Sequence, residues 1–62
     1  MKQVNLKHVK LGDYFKLTEH GPVWIKGEYM RGNKCYSVFN FSDINHENFL
    51  KPTKKVWVGF TF

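Results

Sequence analysis

The sequence predicts an all-β protein, a small barrel of about five strands with one short helical turn before the last strand. Three observations predict it. Short runs of alternating apolar and polar residues are separated by turn pairs at Gly12-Asp13, Gly21-Pro22 and Gly32-Asn33. Two of those runs, "VWIKGEYM" and "CYSVFNF", flank Gly32-Asn33 as the arms of a hairpin would. Gly27 and Gly59 fall inside apolar runs, where glycine marks the bulge or bend that a closing sheet needs.

The elements follow in chain order. Residues 1–11 alternate loosely, with Val4, Leu6, Val9 and Leu11 among lysines, and read as a first strand or an extended arm. After Gly12-Asp13, "YFKL" reads as a strand with Phe15 and Leu17 on one side, and 18–22 is a loop. Val23–Met30 and Cys35–Phe41 form the hairpin, and Gly before Asn suits a type II′ or related turn.

If Gly32 and Asn33 are the two loop residues, the hairpin faces are fixed. One face holds Val23, Ile25, Gly27 and Tyr29 against Tyr36, Val38 and Asn40; carrying no charge, it is the expected core. The other holds Trp24, Lys26, Glu28 and Met30 against Cys35, Ser37, Phe39 and Phe41. A bulge at Gly27 would exchange the faces on one side of it. In 42–52, Ser42 or Asp43 can cap a helical turn, Ile44 and Phe49 can face inward, and Pro52 ends it. Asn45, His46 and Asn48 are poor helix formers, which limits it to a turn or two. "KKVWVGFTF" then reads as a strand to the last residue, sticky enough to need a partner strand.

The 62 residues make one domain, 1–62, near the lower size limit for a single core. Such a core rarely supplies more than roughly 3–5 kcal/mol without a staple. Cys35 is the single cysteine, so no intrachain disulfide is available. The eleven aromatics are the compensation, each able to bury about 150–250 Å². Self-association is the other. The first residues hold no leader-like apolar run, and no stretch approaches the ~18 apolar residues of a membrane span. With a lone thiol, the expected compartment is the cytoplasm.

Chemistry is hard to place on this chain. His8, His20 and His46 are far apart and Cys35 stands alone, so no metal site is expected. Asp13, Glu28, Asp43 and Glu47 form no acid–base pair at a telling spacing, and no glycine-rich phosphate loop exists. The expectation is therefore no enzyme, no catalytic residue, no cofactor and no small-molecule substrate.

Charge points elsewhere. Ten Lys and Arg stand against five Asp and Glu, a net of +5, and nine of the ten cations are lysine. A basic balance favours anionic partners such as nucleic acid. The candidate nucleic-acid-binding residues are Trp24, Lys26, Arg31 and Lys34, with Trp57 beside them, aromatics for bases and cations for phosphates. The competing reading puts Trp24 and Trp57 into the core. A second functional class is a protein-interaction module, a homodimer or an accessory or inhibitor protein, acting through an apolar patch or an open strand edge.

The order of arm, strand, loop, hairpin, helical turn and terminal strand resembles the SH3-like small barrel over nearly the whole chain. The acidic-aromatic groove of signalling SH3 domains is missing, so proline-rich peptide binding does not carry over. A five-stranded OB-like barrel is the alternative. More narrowly, "LGDYFKL", "VWIKGEYMR", "KCYSVFNFSDIN" and "VWVGFTF" are similar to short proteins of gut anaerobic bacteria and their mobile elements. That resemblance implies a small intracellular protein and supplies no site residues.

Overall fold

The computed structural model describes residues 1–43 and 45–60. Six strands are present: β1 (Lys2–Asn5), β2 (Tyr14–Lys16), β3 (Val23–Met30), β4 (Cys35–Asn40), β5 (Glu47–Leu50) and β6 (Lys55–Val58). They form one sheet in the order β1-β6-β2-β3-β4-β5, and every pairing is antiparallel. The sheet curls into a half-barrel, consistent with a small SH3-like barrel. Its concave side carries the core: Leu6, Phe15, Val38 and Val56 are fully buried, with Val9 and Trp24 nearly so.

The helical element lies in a different place from the one expected. A 3-10 turn, Leu6–His8, follows β1, closed by the Val9 N–H on the Leu6 C=O at 3.0 Å. It is tied to the β5–β6 connection, since the Leu6 and Lys7 N–H groups donate to the carbonyls of Lys54 (2.9 Å) and Pro52 (3.0 Å). Leu6 and Val9 are thereby turned into the core. Among the described residues no helix precedes the last strand; β5 stands there instead, paired along the whole of Ser37–Phe39 and on to Tyr36. Asn45, His46 and Asn48 offered a helix little, and the outer edge of β4 offers a ladder. Phe49 accordingly points outward, 43% exposed, not into the core as expected. Ile44, the other residue expected to face inward there, lies outside the described residues.

The hairpin turn also departs from expectation. The chain reverses over 31–34, and the residue with left-handed φ is Lys34 (+56°), not Gly32. The Asn33 side chain braces it by accepting the Cys35 N–H at 3.3 Å. β6 ends at Val58, because Gly59 takes a φ of +79° that breaks the alternation. Thr61 and Phe62, expected to continue that strand, lie outside the described residues.

The faces of the hairpin are set by a bulge. Next to the turn the expected pairing holds, Met30 opposite Cys35 and Tyr29 opposite Tyr36. Between Lys26 and Tyr29 the register shifts by one, and beyond it Lys26 faces Val38, Ile25 faces Phe39 and Trp24 faces Asn40. Gly27 occupies this step for a steric reason. A Cβ there would sit 2.7 Å from the Ser37 carbonyl oxygen and 3.0 Å from the Phe39 ring. The shift sends Trp24 and Lys26 to the core side and Val23 and Ile25 to the outside, the reverse of the assignment made from the turn alone.

Candidate functional site

The five residues predicted as a nucleic-acid-binding face do not come together. Trp24 is 6% exposed, flanked across the strands by Phe15 and Asn40, with its ring edge-on to His46 at 5.5 Å. It serves the core and offers no face to a base. Arg31 and Lys34 are exposed at the tip of the β3–β4 hairpin. Trp57 is half-buried on β6, opposite Lys16 of β2 and Gln3 of β1. Two strands, β2 and β3, separate its strand from β4.

Lys26 is the least ordinary of the five. It is 5% exposed, yet its ammonium has no carboxylate partner among the described residues. Its Nζ donates to the Val9 C=O and lies 3.9 Å from the centre of the Tyr36 ring. Burial alone pushes its pKa below the ordinary lysine value, because the charged form loses its water. The Gly27 bulge explains the placement: without the register shift Lys26 would point to solvent. Nothing in the spacing of charges signalled a buried cation; the mid-strand glycine was the available clue.

The outer side of the sheet assembles what sequence reasoning had divided between two faces. One cross-strand row runs Gln3, Trp57, Lys16, Val23, and the Phe41 N–H extends it by donating to the Val23 C=O at 2.8 Å. The next runs Tyr14, Ile25, Phe39, Glu47. Tyr14 and Phe41 meet edge-to-face at 5.7 Å, and Phe41 is 48% exposed. One half of this face, over β2–β5, is therefore apolar and aromatic. The other half is basic around Trp57: Lys16 lies across from it, Lys55 is two residues along the same strand face, and the Lys16 Nζ sits 4.8 Å from the Phe60 ring centre.

Polar anchoring on the apolar half is sparse. The buried Ser37 hydroxyl donates to a Glu47 carboxylate oxygen at 2.8 Å, holding that side chain against the sheet beside the Gly27 step. Cys35 is a free thiol whose Sγ donates to the Asn33 carbonyl at 3.3 Å. Among the described residues no group of three or more His, Cys, Asp or Glu side chains is placed to hold a metal ion. Among the same residues no helix is long and apolar enough to cross a membrane. No protein-family model, curated protein or solved structure matches the chain.

Proposed function

We propose that the protein is a non-enzymatic binding module that holds a protein partner on the outer face of its sheet. The observation behind this reading is the row Tyr14–Ile25–Phe39 with Phe41 beside it, on the side of the sheet away from the core. Isolated apolar residues are normal on surfaces, but an apolar row across three strands that ends in the exposed rings of Tyr14 and Phe41 is a mark of a protein contact. Aromatic side chains give large contact area at low cost in rotamer entropy, so they serve as interface anchors. The module works in the cytoplasm, where a lone Cys35 stays reduced.

Site-directed photo-crosslinking in cells tests the reading. A benzophenone amino acid at Phe41 gives a discrete protein adduct, and the same group at Asn33, on the far hairpin tip, gives none. Equal labelling from both positions, or no adduct from either, refutes it.

A second reading rests on a separate observation. Trp57 lies between Lys16 and Lys55, and Lys7 and Lys54 belong to the adjoining backbone-bonded turns. This half of the face suits single-stranded nucleic acid, with a ring for a base and lysines for phosphates. It relocates the nucleic-acid site from Trp24 and Lys26 to Trp57.

A further inference from the structure

We propose that the partner is a second copy of this chain, and that two copies join along β5, antiparallel and centred on Phe49. The proposal rests on the reading of the outer face as a protein-binding surface and names its partner. β5 is one of the two edges of the sheet. The other edge, β1, leads into a turn that is already bonded to the carbonyls of Pro52 and Lys54.

Hydrogen-bond parity shows what β5 offers. The Asn40 N–H donates to the His46 C=O at 3.1 Å, so 40 and 46 form a bonded pair. Bonded and non-bonded pairs alternate along an antiparallel ladder. Val38–Asn48 and Tyr36–Leu50 are then bonded, and the backbone groups of Glu47 and Phe49 face away from β4. The Phe49 N–H agrees with this: its acceptor is the side-chain oxygen of Asn48 at 2.9 Å, a local cover on an edge donor that the Phe49 C=O of the second copy replaces on pairing.

Charge then selects the register. Only pairings that set outward-facing residues against each other can form a ladder. Glu47 opposite Glu47 of the second copy sets carboxylates together, and Lys51 opposite Lys51 sets ammonium groups together. Centring on Asn48 or Leu50 sets Glu47 or Lys51 against Phe49 and pairs no opposite charges. Centring on Phe49 places Glu47 opposite Lys51 of the second copy at both ends, with the two Phe49 rings between them. Glu47 and Phe49 share the outer face of the sheet, with Phe39 and Ser37 as their β4 partners. Exposed Lys51 follows next in the alternation, one residue past the end of β5, with its C=O also accepting the Lys54 N–H at 3.0 Å. The pairing therefore continues the Tyr14–Ile25–Phe39–Glu47 row into the second molecule. One Glu47 oxygen already holds the Ser37 hydroxyl, which fixes the carboxylate in place for the lysine.

A contact of this length buries less than a standard interface, so the dimer is weak and assembles with rising concentration. Sedimentation equilibrium of the purified chain, from micromolar to millimolar, measures it. The wild type shows a monomer–dimer equilibrium. Lys51→Glu sets like charges together at both ends and weakens the dimer by about tenfold. Glu47→Lys does the same, and the double exchange Glu47→Lys with Lys51→Glu restores association. Because Glu47→Lys also breaks the Ser37 contact, far-UV circular dichroism is run on each variant, and the exposed Lys51 site carries the test if the other loses its fold. A wild type monomeric throughout overturns the proposal, as does a dimer indifferent to Lys51→Glu. A monomer that still gives Phe41 adducts with a different protein sinks the self-pairing alone; no adduct at all sinks the outer-face reading beneath it.

Discussion

Lys26 offers the sharpest test of how this small core is held together. Replacing it with methionine keeps most of the aliphatic stem and removes the ammonium. Three effects compete. Relief of ammonium dehydration is worth several kcal/mol in a buried site. Against it stand the charged hydrogen bond to the Val9 C=O, about 1.5–3 kcal/mol, and the contact with the Tyr36 ring, about 0.5–2 kcal/mol. No carboxylate is left stranded by the change, so the balance tips towards the apolar side chain. Lys26→Met is expected to be more stable than the wild type by about 1 kcal/mol at pH 7, a rise in Tm of about 4–8 °C for a chain of this size. Lys26→Ala removes the stem too and leaves a hole, placing it about 3 kcal/mol below the methionine variant.

The pH dependence separates charge from packing. Burial lowers the folded-state pKa of Lys26 below its ordinary value of 10.5. Between those two values the unfolded chain binds more protons than the folded one, so stability rises with pH across that window. Below the folded pKa the full cost of the buried charge is present; approaching 10.5 it is relieved. The advantage of Lys26→Met over the wild type should therefore hold below the folded-state pKa and shrink only as pH rises through it towards 10.5. Thermal melts by circular dichroism on the wild type and the two variants supply all the numbers. A methionine variant that melts as low as the alanine variant, or a wild-type-to-methionine difference flat with pH, refutes the reasoning. The first result would mean that the ammonium itself holds the fold together, the second that its charge carries no net cost in the fold.

Two further outcomes follow from the same geometry. Gly27→Ala drives a Cβ against the Ser37 carbonyl oxygen, which cannot move without the β4 backbone; the expected loss is about 2 kcal/mol, or roughly 10 °C in Tm, and a change of only a degree or two would show that the bulge relaxes freely. If the basic half of the outer face binds single-stranded nucleic acid, a labelled oligonucleotide binds in anisotropy titrations and weakens with salt. Trp57→Ala then lowers affinity by about ten-fold, from the loss of one stacked base, while Arg31→Ala at the hairpin tip has little effect; equal effects at both positions would mean diffuse attraction to a basic protein.

What the sequence made legible was the strand content and the turn-proximal half of the hairpin. Gly32-Asn33 fixed the pairing of Tyr29 with Tyr36 and of Met30 with Cys35 correctly even though Lys34, not Gly32, takes the left-handed conformation. Gly27 marked the place where that pairing breaks. Whether a mid-strand glycine inserts a residue is decided by the space against Ser37 and Phe39, residues on another strand, and no local pattern carries that information. β5 was missed for a related reason. "ENFL" has no alternation long enough to announce a strand, and its structure comes from the ladder that β4 extends to it. The candidate site inherited the first of these. Trp24 and Lys26 were placed outside because the faces were counted from the turn, while Ile25 and Phe39 were placed on opposite faces of a hairpin that in fact pairs them.

The bulge also ties the core to the proposed binding face. One inserted residue turns Trp24 inward, where it joins Leu6, Val9, Phe15, Val38 and Val56 in the buried core, with Val4, Leu17, Tyr36, Leu50 and Val58 packed against it. The same step turns Val23 and Ile25 outward, and they bridge Tyr14 on one side to Phe39 and Phe41 on the other. A chain of this size, short of buried area, gains nothing for its own stability by leaving that row against water. It also keeps a lysine inside at a cost in dehydration, in the one strand whose register decides both faces. A fold optimised for stability alone would remove the bulge, bury Val23 and Ile25 and release Lys26 to solvent. That it does the opposite makes sense if the outer row is what the sheet exists to present.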